Sequence, residues 1–385
     1  MARKKLKRLK NRLYQGDCLE VMKDIPTESV HAVVCDPPYE LGFMGKSWDN
    51  TGIAYNVDVW RECLRVLKPG GIILAFGGSR TQHRLAVAIE DAGFEIMNCL
   101  GWIFGSGFPK ATDVSKMIDK RAGHWRGRAG IVVPENKSMS GGNYERTNSG
   151  EPITSRAKYW DGYKYSIVPL KPALEIVIMG RKPFDGKPLD SIIEHEVGAI
   201  NVDGCRVKTS ENLNGGGYDP ENKSNKIEGD ASSYYTKTMN QEFQQPEGRY
   251  PPNLMIDATG ADVIGEQSGE CKSGIAVRVN GNASRYFPQF NHDDEPPFLY
   301  CPKVSKKERN AHGENKHPTI KPLKLITWLV TLVTREKQTV LDPFSGSGTT
   351  GEACRSLGRG FILIEKEPEY CEVIKNRLPN VQIFS

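Results

Sequence analysis

Short β-branched and apolar runs alternate along this chain with stretches whose apolar positions recur every three or four residues. The clearest run is Val30-His31-Ala32-Val33-Val34-Cys35. It is apolar toward both faces, the pattern of a strand buried in a parallel sheet. Asp36-Pro37-Pro38-Tyr39 then stops it, because two prolines fix the backbone and remove two N–H donors. The carbonyls at this strand end are left exposed, with a carboxylate and an aromatic ring held on a rigid stub. Val57 to Leu67 carries apolar residues at Val59, Trp60, Cys63, Leu64, Val66 and Leu67 and predicts an amphipathic helix closed by Lys68-Pro69-Gly70-Gly71. Ile72 to Phe76 predicts the next buried strand, Gln82 to Asp91 a helix that stops by Gly93, and Phe94 to Phe104 another strand. Upstream, Leu13 to Cys18 reads as a short strand and a turn, with Asp17 as the N-cap of a helix. Such alternation predicts an α/β fold with a parallel, doubly wound sheet.

From Gly105 the pattern loosens. Residues 105–166 are rich in Gly, Ser, Lys and Arg, and Lys116 to Arg128 is distinctly basic, with Trp125 inside it. A strand returns at Leu174 to Met179, and Leu189 to Val197 reads as a helix. Residues 205–250 are full of Asn, Gly, Ser and charged side chains. A structureless loop of that length is unusual in a compact domain, so the stretch reads as a functional or partly disordered excursion. Between Arg249 and Tyr300 there are short aromatic and apolar pieces without a period, and Val304 to Arg309 is a charged surface turn. His317-Pro318-Thr319-Ile320-Lys321-Pro322 leads into a helix from Leu323 to Val333.

That helix feeds Val340-Leu341-Asp342-Pro343-Phe344-Ser345-Gly346-Ser347-Gly348-Thr349-Thr350-Gly351, an apolar run that becomes a glycine-rich turn before a helix. Gly346, Gly348 and Gly351 have the G-x-G-x-x-G spacing, and a second apolar strand, Phe361 to Ile364, ends on Glu365. Glycines let the backbone approach a nucleotide-like ligand, the helix N-terminus faces it, and a carboxylate about 20 residues on takes ribose hydroxyls. Only twenty residues follow Glu365, so the remaining strands are expected from the N-terminal part of the chain, where Asp17 and Asp36 lie at strand ends.

At 385 residues with a net charge of +5 the chain can hold a large core and more than one domain, and a polyanionic partner is permitted. The nine cysteines are scattered without a C-x-x-C pair, which fits reduced thiols. His312 and His317 are too isolated to suggest zinc, so no metal is expected. No apolar run approaches a membrane span, and the basic N-terminus lacks the apolar core of a secretory signal. A soluble cytoplasmic protein is expected. Six of the first ten residues are Lys or Arg. Residues 1–12 read equally as a basic arm for phosphates or as a solvated tail.

A loop of the cofactor-binding kind and an Asp-Pro-Pro-Tyr stub on one sheet edge suit transfer of a methyl group to an exocyclic amine of a base. That nitrogen's lone pair is delocalised into the ring. Acceptors on its two protons, the Asp36 carboxylate and the Pro37 carbonyl, would free the lone pair, and Tyr39 can stack on a base taken out of its duplex. Asp36-Pro37-Pro38-Tyr39 together with Asp342-Pro343-Phe344-Ser345-Gly346-Ser347-Gly348-Thr349-Thr350 resembles the amino-group DNA methyltransferases that use S-adenosylmethionine. The order, catalytic motif first and cofactor motif last, resembles their circularly permuted beta class. Gly16-Asp17 is similar to the turn whose acid contacts the cofactor's adenine, and Glu365 to the ribose-binding acid. His317, Thr319 and Lys321 lie in a segment similar to one that closes the methionine end of the pocket. Trp102 to Lys110 carries a weaker likeness to phage and bacterial members.

The resemblance implies a Rossmann-like, seven-stranded mixed sheet in which Leu174–Met179 and Ile96–Phe104 form an antiparallel edge hairpin. It divides the chain into a basic arm (1–12), a catalytic half (13–183, with a loose loop at 105–166), a target-recognition insertion (184–300) and a cofactor half (301–385). It implies double-stranded DNA as substrate, a companion restriction endonuclease as a candidate partner, and a monomer or homodimer. Asp at the first motif position resembles the N6-adenine enzymes, whereas N4-cytosine enzymes more often carry Ser. RNA methyltransferases often show Asn there and lack the permuted order. A nicotinamide oxidoreductase has no use for Asp-Pro-Pro-Tyr, and a DNA-binding protein that has lost catalysis would be expected to show damage in one motif.

Overall fold

The computed structural model describes residues 11–42, 49–104, 110–126, 130–132, 145–147, 150–208, 246–256, 309–311, 313, 315, 317 and 319–384. The main elements, in chain order, are β1 (Arg12–Gln15), α1 (Cys18–Lys23), β2 (Val30–Cys35), α2 (Val57–Val66), β3 (Leu67–Gly78), α3 (Gln82–Asp91), β4 (Glu95–Ile103), α4 (Val114–Arg121) and α5 (Ser155–Tyr159). They continue as β5 (Leu174–Arg181), α6 (Pro188–His195), β6 (Leu254–Ile256), α7 (Leu323–Val333), β7 (Thr339–Asp342), α8 (Thr349–Ser356), β8 (Gly360–Glu365), α9 (Pro368–Arg377) and β9 (Gln382–Phe384).

The nine strands form one sheet in the order β6-β4-β5-β3-β2-β7-β8-β1-β9. Every pairing is parallel except those of β5, which runs antiparallel to β3 and to β4. The expected seven-stranded mixed sheet is present and is widened by one short strand at each side. The expected hairpin pairs as β4 and β5, with a register shift between Ile96 and Asn98, but it is not the edge, because β6 lies parallel to β4 beyond it. The wider sheet has a physical reason: Leu254–Ile256 supplies a ladder partner, and Met255 and Ile256 are fully buried there.

Strand alternation assigns the two cores. Ala32, Val34, Ile72, Leu74 and Val340 face a layer that contains Leu325, Leu329 and Val330 of α7 and Ala353 of α8. Val33, Cys35, Ile73, Ala75 and Leu341 face Val59, Trp60 and Cys63 of α2 and Leu85 and Ile89 of α3. Helices on both faces explain why the central strands carry apolar residues toward both sides.

The loosely patterned stretch 105–166 contains regular structure. Lys110–Asp113 pairs antiparallel with Lys164–Val168, and α4 and α5 lie between them. The fully buried Asp119 of α4 accepts hydrogen bonds from the backbone N–H of Ile153 and Thr154 and from the Thr154 hydroxyl, at 2.7–3.0 Å. Its partner Arg126 stands 3.0 Å away. These are contacts across distant parts of the sequence, which leave no local period to read. The basic residues 1–10, the stretches 209–245 and 257–300, and most of the charged turn before Arg309 lie outside the described residues. No helix among the described residues is long and apolar enough to cross a membrane.

Candidate active site

Parallel strands bring the sequence motifs to one sheet edge. Gln15 of β1 lies opposite Glu365 of β8, and Gly16 N donates to Glu365 O at 3.0 Å. Asp342 ends β7 between Glu365 on β8 and Asp36 just beyond β2. Asp17, Asp36, Asp342 and Glu365 therefore all stand at carboxyl ends of neighbouring strands, where open α/β sheets bind ligands. Asp17 caps α1 by accepting from Leu19 N at 3.0 Å, as its N-cap assignment requires, and its other oxygen lies 3.7 Å from Lys366 Nζ.

The glycine loop is held from three sides. Asp342 Oδ1 accepts from Phe344 N at 3.0 Å, and Ser345 N donates to Ile364 O at 3.0 Å. Pro343 is buried, and Phe344 packs on Trp60 with ring centroids 6.1 Å apart. Behind the loop the buried Arg377 of α9 pairs with Glu352 and donates to Thr349 Oγ1 at 3.0 Å and Ser347 Oγ at 3.3 Å. Arg377 went unrecognised in the sequence, where it looks like an ordinary basic residue in the last turn of a helix. Gly346 adopts φ +50°, and a Cβ there would sit 3.0 Å from His317 Nε2. The imidazole thus closes over the loop at a distance that only glycine permits. His317 also meets Tyr370 edge-on at 4.4 Å, and its Nδ1 accepts from Thr319 N at 3.3 Å. Burial pushes His317 down to about 4, so the ring is neutral near pH 7. Gly348, φ +79°, caps α8, whose first residues are Thr349 and Thr350.

Two acids in this bowl share an unusual electrostatic state. Burial raises Asp342 to about 7, against hydrogen bonds from Thr350 and Phe344 N. Burial likewise raises Glu365 to about 7, although its oxygens accept from Gly346 N at 2.7 Å and Glu367 N at 2.9 Å. Each carboxylate is poised to gain from a further donor.

The second half of the site is built around Asp36. Pro37 is buried, Pro38 half-buried, and Tyr39 turns back so that its ring lies against β3. Gly78 makes this possible, since a Cβ there would stand 3.0 Å from Tyr39 Cδ2. Glu40, the next residue, is left-handed at φ +55° and is fixed by two contacts. Its carboxylate accepts from Gly52 N at 2.8 Å, and its N–H donates to the buried Asp49 at 3.0 Å. The Tyr39 hydroxyl donates to Glu175 Oε2 at 2.8 Å. Lys321 Nζ pairs with Asp36 Oδ2 and lies 3.6 Å from Glu175 Oε2, 4.6 Å from the Phe76 ring centre and 5.2 Å from that of Tyr39. Asp36 Oδ1 carries no hydrogen bond. Lys321 is therefore directed at the Asp36 side of the site. Glu175, buried on β5, was missed. The available signal was a carboxylate in an otherwise apolar strand, which is costly to bury unpaired.

An Asp-Pro-Pro-Tyr stub and a glycine-loop cofactor bowl on adjacent strand ends of a doubly wound sheet define an S-adenosylmethionine-dependent DNA methyltransferase. The DNA methylase family of the N6/N4 amino type matches residues 30–376, and the chain belongs to that family. The type II methyltransferase M.HindIII of Haemophilus influenzae is 24% identical over 409 residues, covering 95% of this chain and 94% of its own. M2.DpnII of Streptococcus pneumoniae is 48% identical over 108 residues, 26% of this chain, which spans 40% of that relative's length. Among solved structures, the M1.HpyAVI–SAM complex covers 96% of this chain at 17% identity and a TM-score of 0.40. The cytosine-N4-specific PvuII DNA methyltransferase also covers 96%, at 16% identity and a TM-score of 0.47.

The cofactor is S-adenosylmethionine, and the residues present fit it. Asp342 and Glu365 are buried acids raised toward neutrality, ready for hydroxyl or ammonium donors.

Proposed function

We propose that the protein methylates the exocyclic N6 amine of adenine in double-stranded DNA, with the target base turned out of the helix. Asp17, Glu365, Asp342 and the loop from Pro343 to Thr350 would hold the cofactor, with His317 and Thr319 closing the bowl. When bound, S-adenosylmethionine supplies an electrophilic methyl group on a sulfonium centre. The protein's part is to position and activate the amine. Asp36 and the Pro37 carbonyl would accept the two N–H groups, which localises the nitrogen lone pair toward the methyl donor, and the Asp36 carboxylate would take the proton that the amine gives up. Tyr39 offers its face to the base, and Lys321 and Glu175 hold Asp36 and Tyr39 in register.

One observation carries this reading. Asp36, with an oxygen that has no hydrogen bond, ends the strand next to Asp342 and the glycine loop. The order of the two motifs favours the permuted beta class. Residues 184–300 are proposed as the target-recognition region, with residues 1–10 as an arm for phosphates. The setting would be the cytoplasm of a bacterium or phage-infected host, as a monomer or homodimer, with a companion endonuclease. N4 of cytosine is the second reading, since it presents the same two N–H groups to the same acceptors.

The test is nucleoside mass spectrometry after incubating the protein with unmethylated genomic DNA and cofactor. N6-methyladenine is expected. N4-methylcytosine would keep the mechanism and overturn the base, and absence of both would overturn the function.

A further inference from the structure

The excursion between β4 and β5 leaves the sheet and rejoins it at the active edge. Ile103 pairs with Leu174, Phe104 N donates to Ala173 O at 3.0 Å, and Gly78 pairs with Glu175. Glu175 is the residue that holds the Tyr39 hydroxyl. The root of the excursion therefore lies one residue from Glu175.

The excursion is internally braced by the buried pair of Asp119 and Arg126, yet it carries large apolar side chains on its outer surface. Most of the exposed large apolar side chains among the described residues belong to residues 110–174. Tyr159, Trp160 and Tyr163 are all exposed and form a ring cluster, with centroids 5.7 Å and 5.2 Å apart and near-perpendicular planes. Tyr165 stands out beside them, 71% exposed. Interleaved with these rings are the exposed cations Arg156 and Lys158 on α5, and Lys120 and Arg121 end the helix packed against it. Exposed apolar patches rimmed by polar residues mark interaction surfaces. Rings set among Arg and Lys suit a polyanion with flat apolar faces.

We infer that residues 150–171, with the end of α4 packed against them, form a second DNA-docking arm, in which Arg156 and Lys158 contact phosphates and the Tyr159–Trp160–Tyr163 cluster packs on the nucleic acid. The inference rests on the DNA methyltransferase reading and adds a contact surface outside the proposed target-recognition stretch. A protein partner is the competing occupant, and the cations beside the rings favour the duplex.

The test uses the full chain and a fluorescent duplex of mixed sequence, with affinity measured by anisotropy across a salt series. The Arg156→Gln/Lys158→Gln variant is expected to lower the slope of log affinity against log salt by about 2, roughly one unit for each lost phosphate contact. Trp160→Ala/Tyr163→Ala is expected to weaken binding by about tenfold or more. Both should keep wild-type affinity for S-adenosylmethionine, and their methylation of the duplex should recover at saturating DNA. Unchanged slope and affinity in both variants, with the wild type still binding and methylating, would overturn the arm alone. Loss of self-association in the aromatic variant with DNA binding intact would overturn it in favour of a second copy of the chain. A wild type that neither binds nor methylates DNA would overturn the functional reading and the arm with it.

Discussion

Replacing Glu365 with Gln tests the cofactor bowl through its pH dependence. Burial raises this carboxyl from its ordinary 4.5 to about 7, against backbone hydrogen bonds from Glu367, Gly346 and Lys366. A folded value above the unfolded one means that the folded protein keeps a proton that the unfolded chain gives up. The contribution to stability is thus fully present below about 4.5 and is lost as pH rises through 7. The full difference is about 3 kcal/mol, at 1.36 kcal/mol per unit. Asp342 has the same sign, and the two acids repel, so they share this cost. Ribose hydroxyls donate to the ionised form, so binding must release the proton. Cofactor affinity should fall about tenfold for each pH unit below 7 and level off above about 8. Titration calorimetry in two buffers of different ionisation enthalpy reads both the affinity and the proton released. In Glu365→Gln the affinity should be weaker and its slope with pH much flatter. An affinity in the wild type that does not change between about pH 5.5 and 8, or the same slope in the variant, would refute the assignment of Glu365 to the cofactor.

Lys321→Met leaves Asp36 and Glu175 facing each other without their cation. It should cost about 3–5 kcal/mol in urea unfolding, toward the low end because Asp36 is partly exposed. A loss under about 1 kcal/mol would show that the ammonium is not needed there. Glu175→Leu removes the acceptor of the Tyr39 hydroxyl and should lower kcat for methyl transfer while cofactor affinity stays at the wild-type value; an equal loss of cofactor binding would contradict its placement. Gly78→Ala puts a methyl 3.0 Å from the Tyr39 ring, so it should displace the ring and impair DNA methylation without altering the cofactor bowl, a separation that parallel calorimetry and turnover assays can check.

The parts of the site that were legible in sequence are those where local chemistry breaks a pattern. Two prolines and an acid ending an apolar run announce Asp36, and closely spaced glycines between a strand and a helix announce the loop. Both are short-range constraints on the backbone. Glu175 and Arg377 act through contacts with residues far away in sequence; Arg377 reads locally as an ordinary helix residue, and the carboxylate of Glu175 breaks its apolar strand without naming the partner it serves. Lys321 was visible as part of its motif, but its direction depends on how α7's leading segment lies against β3, which no local pattern records. The helices and hairpin of 110–168 are hidden for the same reason. They are held by Asp119 reaching Thr154, not by an apolar stripe.

Asp36→Ala, compared with the wild type in single-turnover methyl transfer and in S-adenosylmethionine calorimetry, tests the central claim most directly. In the proposed mechanism the carboxylate bonds the reacting amine, and it lies outside the cofactor bowl. The variant should therefore bind cofactor as the wild type does and transfer methyl at least about a hundredfold more slowly. A variant that methylates DNA at the wild-type rate would contradict the account.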